Sequence, residues 1–250
     1  MRLPDFIIGG APRAGTTWLH HALDRHPDVF LAKPVTPEPK FFLVDQLYAK
    51  GIDHYSSTWF ADVGPEVVAG EKSTDYLESA PAAARIARHL PGVKLVFILR
   101  DPVERAFSNY LWTKMNGLEH ESFETALALE DRRERELPER WRFARPFSYF
   151  SRGLYADLLA EYLKRFPREQ LLVLRFEDIL SQPTELIGRL QRFIGVAERP
   201  QDGVDVGVIN PSEKTGPAMT DATREELRQR YAEPNERLAS LLGPGFQRWP

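Results

Sequence analysis

The stretch that most constrains the fold is Phe6-Ile7-Ile8-Gly9-Gly10-Ala11-Pro12-Arg13-Ala14-Gly15-Thr16-Thr17-Trp18-Leu19. It reads as a short buried strand, a glycine-bounded loop and the first turn of a helix. A turn of this kind presents unpaired backbone N–H groups and the positive end of a helix dipole to an anion. Gly10 and Gly15 stand at the spacing of the phosphate-cradling G-x-x-x-x-G frame. In a nucleoside triphosphatase the frame continues with Lys and Ser or Thr, whereas this chain has Thr16 and Thr17, and its cation, Arg13, lies inside the loop. The phosphate seat is kept, and the lysine that bridges the β- and γ-phosphates of ATP is gone.

The 250-residue chain allows a substantial core, and a single α/β domain is the simplest organisation. With 42% hydrophobic and 28% charged residues the chain reads as soluble and globular. A formal charge of -3 speaks against a general nucleic-acid binder. The absence of cysteine removes disulfides, thiol catalysis and cysteine-ligated metals, and no other metal constellation appears. Met1-Arg2 leads straight into strand-like sequence without a signal-peptide core, and no apolar run approaches the ~20 residues of a membrane span. The expectation is a cytoplasmic protein with no membrane or nucleic-acid partner; no residue pattern specifies an oligomeric state.

Along the chain, residues 5–9 form an apolar run ending in glycine, as a central parallel strand does. A helix over 16–25 carries the stripe Trp18, Leu19, Ala22 and Leu23, and His26-Pro27 ends it. Residues 33–39 are a proline-rich loop that leads through Lys40 into Phe41-Phe42-Leu43, either bordering a ligand or simply crossing the surface. A second strand over 66–70 delivers Glu71-Lys72-Ser73-Thr74 to its carboxyl end, where open α/β sheets place their ligands. Residues 81–90 are helical and 93–99 are the clearest strand. Arg100-Asp101-Pro102 ends that strand, with Asp101 as helix cap, Pro102 in the first position and Glu104 at capping-box spacing. The helix that follows buries Val103, Ala106, Phe107, Tyr110 and Leu111. Ser108 falls off this stripe, on nearly the line of Asp101, so Arg100 and Ser108 are suited to one ligand.

Residues 119–136 are expected to be helical, with the mixed-charge run 130–136 a solvated face. In 140–150 cations alternate with aromatics, and the irregular insert 117–150 is either a substrate-facing wall or a lid packing on the core. An amphipathic helix over 154–166, a strand over 171–174, a turn at Glu177-Asp178 and a helix from about Pro183 follow. Residues 195–218 form a long irregular connection, and 220–242 a helical segment interrupted or kinked at Pro234. The fold class is α/β: a P-loop NTPase-like central parallel sheet flanked by helices.

Three features in this order, Pro12-Arg13-Ala14-Gly15-Thr16-Thr17-Trp18, Gly70-Glu71-Lys72-Ser73, and Leu99-Arg100-Asp101-Pro102 with Ser108, resemble the sulfotransferases that use 3′-phosphoadenosine 5′-phosphosulfate (PAPS). The first resembles their loop for the 5′-phosphosulfate and the third their element for the 3′-phosphate. The second is similar to the catalytic-glutamate segment of the heparan sulfate N- and O-sulfotransferase branch. Lys214-Thr215-Gly216 stands where a basic glycine loop closes over the nucleotide, and Tyr231, Asn235 and Leu238 recur at similar spacing. The resemblance covers nearly the whole chain from Phe6 to Leu242, implying one sulfotransferase domain over residues 1–250. Arg13 stands where many relatives carry lysine, and the C-terminal loop reads Ser212-Glu213-Lys214-Thr215-Gly216 rather than Lys-Gly-Arg.

The resemblance implies PAPS as donor, PAP as product and a hydroxyl or amine on the acceptor, itself a small molecule or biosynthetic intermediate. Arg13, Ala14, Gly15, Thr16, Thr17 and Trp18 are then donor-binding, Arg13 also neutralising charge on the leaving phosphate. Trp18 suits the core better than the adenine. Arg100, Ser108, Lys214, Thr215 and Gly216 complete the donor set, and Lys40, Lys72, Trp112, Trp141 and Phe150 are acceptor candidates. Glu71 is the expected general base. An ordinary Glu, near ~4.3, is a weak base at neutral pH, so partial burial should raise it. Lys72 should point to the opposite side of the strand. A histidine base, with His20 and His21 on the first helix, is the competing assignment. The rival functions are an ATP-dependent kinase, which a comparison of PAPS with ATP binding separates, and a non-catalytic nucleotide-binding protein.

Overall fold

The computed structural model describes residues 1–64, 68–199 and 218–249, with Arg140 by its backbone alone. In chain order the main elements are β1 (Phe6–Gly10), α1 (Thr16–Asp24), β2 (Val29–Leu31), α2 (Asp45–Tyr48), α3 (Ile52–Trp59), β3 (Val68–Lys72), α4 (Ala80–His89), β4 (Lys94–Leu99), α5 (Pro102–Met115), α6 (Phe123–Glu136), α7 (Tyr155–Leu163), β5 (Leu171–Arg175), α8 (Glu177–Ser181), α9 (Pro183–Ile194) and α10 (Asp221–Leu242). The described residues divide into two compact units, 1–99 with 161–199 and 100–160 with 218–249.

The first unit is built on a five-stranded sheet in the order β2-β3-β1-β4-β5, parallel throughout. Its strands are buried apolar runs, as expected where helices cover a parallel sheet: Phe6, Ile7 and Ile8 and the whole of Leu95–Leu99 have no exposed surface. Packing is close enough to dictate residue size. A Cβ on Gly70 would come within 2.2 Å of the Phe6 ring. Helix α1 packs on β1, β2 and β3, and α9 on β5 and α1. The chain runs from β1 outward to β2 on one side and from β4 to β5 on the other, which marks the carboxyl end of β1 as the place for a ligand.

The second unit is a helical core in which α5, α6 and α10 enclose Val103, Ala106, Tyr110, Leu111, Phe123, Ala126, Tyr149, Leu227 and Tyr231. Buried carboxylates tie its insert down. Glu130 accepts from the backbone N–H groups of Phe150 at 2.6 Å and Ser151 at 2.8 Å. Glu119 accepts from Arg133 at 2.6 Å and from the Tyr149 hydroxyl at 2.6 Å.

The expected strands and helices over 5–9, 16–25, 93–99, 102–111, 154–166, 171–174 and from Pro183 are present within a few residues. Several boundaries and roles differ. The three-residue edge strand β2 and helix α3 were not anticipated. Glu71 and Lys72 lie within β3 rather than beyond it, and residues 65–67 fall outside the described set. Helix α6 starts at Phe123 under a Ser122 cap, because Glu119 turns inward to Arg133 and Tyr149 instead of joining the helix. The run 130–136 is not wholly a solvated face: Glu130 is 4% exposed, and Glu134 binds Arg145 and Ser148. Asp101 caps α5 through Val103 N at 2.8 Å, and Glu104 pairs with Arg224 of α10. The Glu177-Asp178 turn is the start of helix α8. Pro234 lies inside one continuous 22-residue helix rather than interrupting it.

Candidate active site

The loop between β1 and α1 runs from strand to helix as its sequence predicts. Ala11 N donates to Ile98 O of β4 at 2.8 Å, which ties the loop to the sheet edge. Gly15 caps α1 in the left-handed region, at φ 89°, and offers no side-chain cap to the helix's first N–H groups. A Cβ at Gly15 would also meet Ile179 at 2.7 Å, so glycine is required there twice over. Arg13 is left-handed too, at φ 66°, as is Lys40 at φ 47°. Such backbone costs a non-glycine residue about 1–2 kcal/mol and gathers at functional loops. Ala14 and Thr16 are buried and Thr17 is exposed. Trp18 is 7% exposed and packs in the core, the role that suited it better.

One strand over, Ile7 pairs with Glu71 and Ile8 with Lys72, and Ser73 N donates to Ile8 O at 3.0 Å. Alternation along β3 sends the two charges to opposite faces. Glu71 accepts from Tyr55 Oη at 2.7 Å, Ser73 Oγ at 2.8 Å and Tyr76 Oη at 3.1 Å. Its burial is complete, at 0% exposure, not partial. That desolvation raises its pKa to about 7, against the three hydroxyl donors, which pull it down. Lys72, 5% exposed, pairs instead with Glu38, which also accepts from Thr74 N at 3.0 Å. Lys40 donates its N–H to Ser73 Oγ at 2.9 Å and its ammonium to Asp75 at 2.5 Å. The structure therefore joins Glu71 to Lys40 and Asp75 through Ser73, and Lys72 to Thr74 through Glu38, with a Lys40–Glu38 ion pair at 4.0 Å between the two groups. Glu38, Tyr55 and Tyr76 are members the sequence did not single out; the only signal for Glu38 was its place in the proline-rich loop beside Lys40.

His20, the alternative base, is 2% exposed on α1, and burial lowers its pKa to about 4. Neither ring nitrogen makes a hydrogen bond of good geometry among the described residues, although the Ala32 backbone lies close. Such an imidazole is costly to keep. Because its pKa is depressed on folding, it contributes stability above about pH 6.5 that is lost as pH falls towards 4. His20→Leu should therefore fold at least as stably as the parent at about pH 8, with an advantage that grows below about pH 6. Chemical denaturation at both pH values measures this, and a loss of stability at both would give His20 a structural partner.

In the second unit Arg100 is 7% and Ser108 1% exposed, and the Tyr155 hydroxyl donates to Arg100 O at 2.9 Å. Two acceptor candidates, Trp112 at 38% and Trp141 at 37%, are exposed. The third, Phe150, stacks on Tyr231 at 4.5 Å with Arg230 over its ring, so it belongs to the packing of this unit. Lys214, Thr215 and Gly216 lie outside the described residues. Among the described residues no cluster of His, Asp or Glu is suited to a metal ion, and no helix is long and apolar enough to cross a membrane.

A family model described as the sulfotransferase domain matches residues 3–232. Human heparan sulfate glucosamine 3-O-sulfotransferase 3B1 is 34% identical over 199 residues, 78% of this chain and 47% of that protein. The membrane-associated sulfotransferase kil1 of Dictyostelium discoideum is 24% identical over 321 residues, covering 98% of this chain and 66% of its own. The crystal structure of a sulfotransferase from Alicyclobacillus acidocaldarius aligns at a TM-score of 0.81 with 29% identity, covering 97% of this chain and 96% of that one. The chain spans about half the length of the heparan sulfate relatives it matches. With its parallel sheet, its glycine-bounded β1–α1 loop and a family match running through most of its length, the chain belongs to the sulfotransferase domain family.

Proposed function

We propose that this protein transfers a sulfuryl group from PAPS to a hydroxyl- or amine-bearing acceptor, with Glu71 as general base. The observation that carries the reading is the placement of a fully buried carboxylate, its pKa raised to about 7, on the strand next to the β1–α1 anion loop. A base poised near the working pH combines sufficient carboxylate with sufficient basicity. The loop fits a phosphate: α1 offers the N–H groups of its first turn and the positive end of its dipole, and Arg13 adds a planar cation able to hold two oxygens. PAPS, when bound, supplies an activated sulfuryl group and a phosphate leaving group. Arg13 and the first turn of α1 stabilise charge as it develops there; Glu71 takes the acceptor's proton. The sequence resemblance assigns the 3′-phosphate to Arg100 and Ser108. The family match over residues 3–232 supports treating both units as one sulfotransferase domain. The acceptor of this reading is a small molecule or biosynthetic intermediate in the cytoplasm, an assignment resting on the sequence expectations.

The deciding experiment is transfer of labelled sulfate from PAPS to a panel of hydroxyl and amine acceptors, alongside calorimetric binding of PAP and ATP. PAP binding without transfer to any acceptor would favour a non-catalytic nucleotide-binding protein. Arg100→Ala tests the donor assignment. Losing charge-assisted hydrogen bonds to a phosphate costs roughly 1.5–3 kcal/mol, so PAPS affinity should fall by about ten- to a hundredfold. Adenosine 5′-phosphosulfate, which lacks the 3′-phosphate, should lose far less. Equal losses for the two nucleotides would show that Arg100 does not read that group.

A further inference from the structure

Glu71 is gripped unevenly. Its Oε1 accepts from two phenols, Tyr55 at 2.7 Å and Tyr76 at 3.1 Å, and its Oε2 only from Ser73 at 2.8 Å. A carboxylate oxygen offers two acceptor sites. Both on Oε1 are therefore filled, and among the described residues one on Oε2 is left unfilled. Glu71, Tyr55, Tyr76 and Ser73 all have 0% exposed surface, so bulk water does not compete for these bonds. The phenols come from separate elements and are locked by packing. Tyr55, on α3, stacks on Phe41 at 4.6 Å and meets Phe42 edge-on at 5.2 Å. Tyr76, in the turn after β3, lies 5.9 Å from the Phe42 ring, and its hydroxyl receives Phe42 N at 3.2 Å.

We propose that Tyr55 and Tyr76 are positioning residues for sulfuryl transfer, fixing Oε1 of Glu71 so that the open site on Oε2 is the one that takes the acceptor's proton. This rests on the reading of Glu71 as base. In the step, the acceptor's O–H bond breaks, its proton goes to Oε2, and its electron pair forms the new O–S bond. The S–O bond to the 5′-phosphate breaks, and that pair leaves on the phosphate. The tyrosines give up no proton. Burial, followed by the nearby Glu71 charge, raises both phenols well above their ordinary range and keeps them neutral donors. Around Glu71 the other charged neighbour is Glu38 of the loop before α2, whose carboxylate opposes ionisation. Lys40 and Asp75 meet at Ser73's side of the cluster, while Lys72 pairs with Glu38, and its charge helps to lower the pKa of His20 on α1.

The two phenols stabilise the carboxylate form, so removing either should make Glu71 harder to ionise. The test is NMR titration of the ligand-free protein labelled in its glutamate carboxyl carbons, with the Glu71 signal identified by its loss in Glu71→Gln. The parent should titrate at about 7. Tyr55→Phe should titrate about one pH unit higher, the scale of a charge-assisted hydrogen bond, and Tyr76→Phe, whose bond is longer, by less. The acid limb of kcat/KM should move with each midpoint, making Tyr55→Phe about tenfold slower near pH 6 beyond any change on its alkaline plateau. Unmoved midpoints in both variants, with parental thermal stability, would overturn the proposal. Should Tyr55→Phe fail to fold, Tyr76→Phe decides alone by the same criterion. Turnover retained by Glu71→Gln would remove the base reading itself; an inactive Glu71→Gln beside unshifted tyrosine variants would remove only the positioning role.

Discussion

Glu71→Gln is expected to lower kcat by about two to four orders of magnitude, the contribution of a general base, while leaving PAP affinity near the parental value. The amide keeps the volume and cannot take a proton. In the parent, kcat/KM should fall about tenfold per pH unit below the Glu71 midpoint of about 7, because the protonated carboxyl is the inactive form. The same residue makes a stability prediction of known sign. Its pKa is raised on folding, from 4.5 to about 7, so its contribution is fully present below 4.5 and lost as pH rises through 7. Glu71→Gln does not titrate. Its stability relative to the parent should therefore increase between about pH 4.5 and pH 8, by up to roughly 3 kcal/mol. Steady-state kinetics with PAP calorimetry read the first effect, and urea unfolding across pH the second. Near-normal turnover, with the stability trend intact, would make Glu71 a buried structural carboxylate and move the search for a base to Glu38.

The sequence exposed those parts of the molecule whose signal is local. An apolar run closed by glycine marked β1, a six-residue hydrophobic strand marked β4, and a 3.6-residue stripe through Leu186, Ile187, Leu190 and Ile194 marked α9. Glu71 and Lys72 were legible because strand alternation separates neighbours without any tertiary information. What the sequence hid depends on partners far along the chain. Tyr55 lies on an eight-residue helix of mixed polarity, and nothing near it announces a carboxylate 16 residues later. Glu38 sits in a proline-rich loop, and its role follows only from Lys72 and Thr74, more than 30 residues away. Glu119 read as the start of a helix and Glu130 as solvent-facing charge because the groups that bury them, Tyr149 and the Phe150 and Ser151 N–H groups, arrive from later in the chain. A charge run is solvated by default only when no such donors fold back onto it.

Arg13→Ala should cost about a hundred- to a thousandfold in kcat, comparable to removing one preorganised donor from a site of developing negative charge. The loop's backbone and the dipole of α1 survive the substitution, so part of the ground-state binding of the donor should survive with them. The loss should thus fall more on kcat than on KM for PAPS. Arg13→Lys separates charge from shape. Lysine restores a cation but not the planar fork, and it should recover only part of the rate if the guanidinium spans two phosphate oxygens. Full recovery would reduce Arg13 to a point charge. Backbone geometry supplies a control that the electrostatics do not affect. Arg13 sits at φ 66°, a conformation glycine adopts freely, so Arg13→Gly relieves the strain of the loop while deleting the same cation. If the guanidinium is what matters, Arg13→Gly and Arg13→Ala should be equally slow, with the glycine variant the more stable to heat. If the left-handed turn itself were the functional feature, the glycine variant would keep most of its rate. Single-turnover kinetics with PAPS, run beside thermal unfolding, distinguish the two.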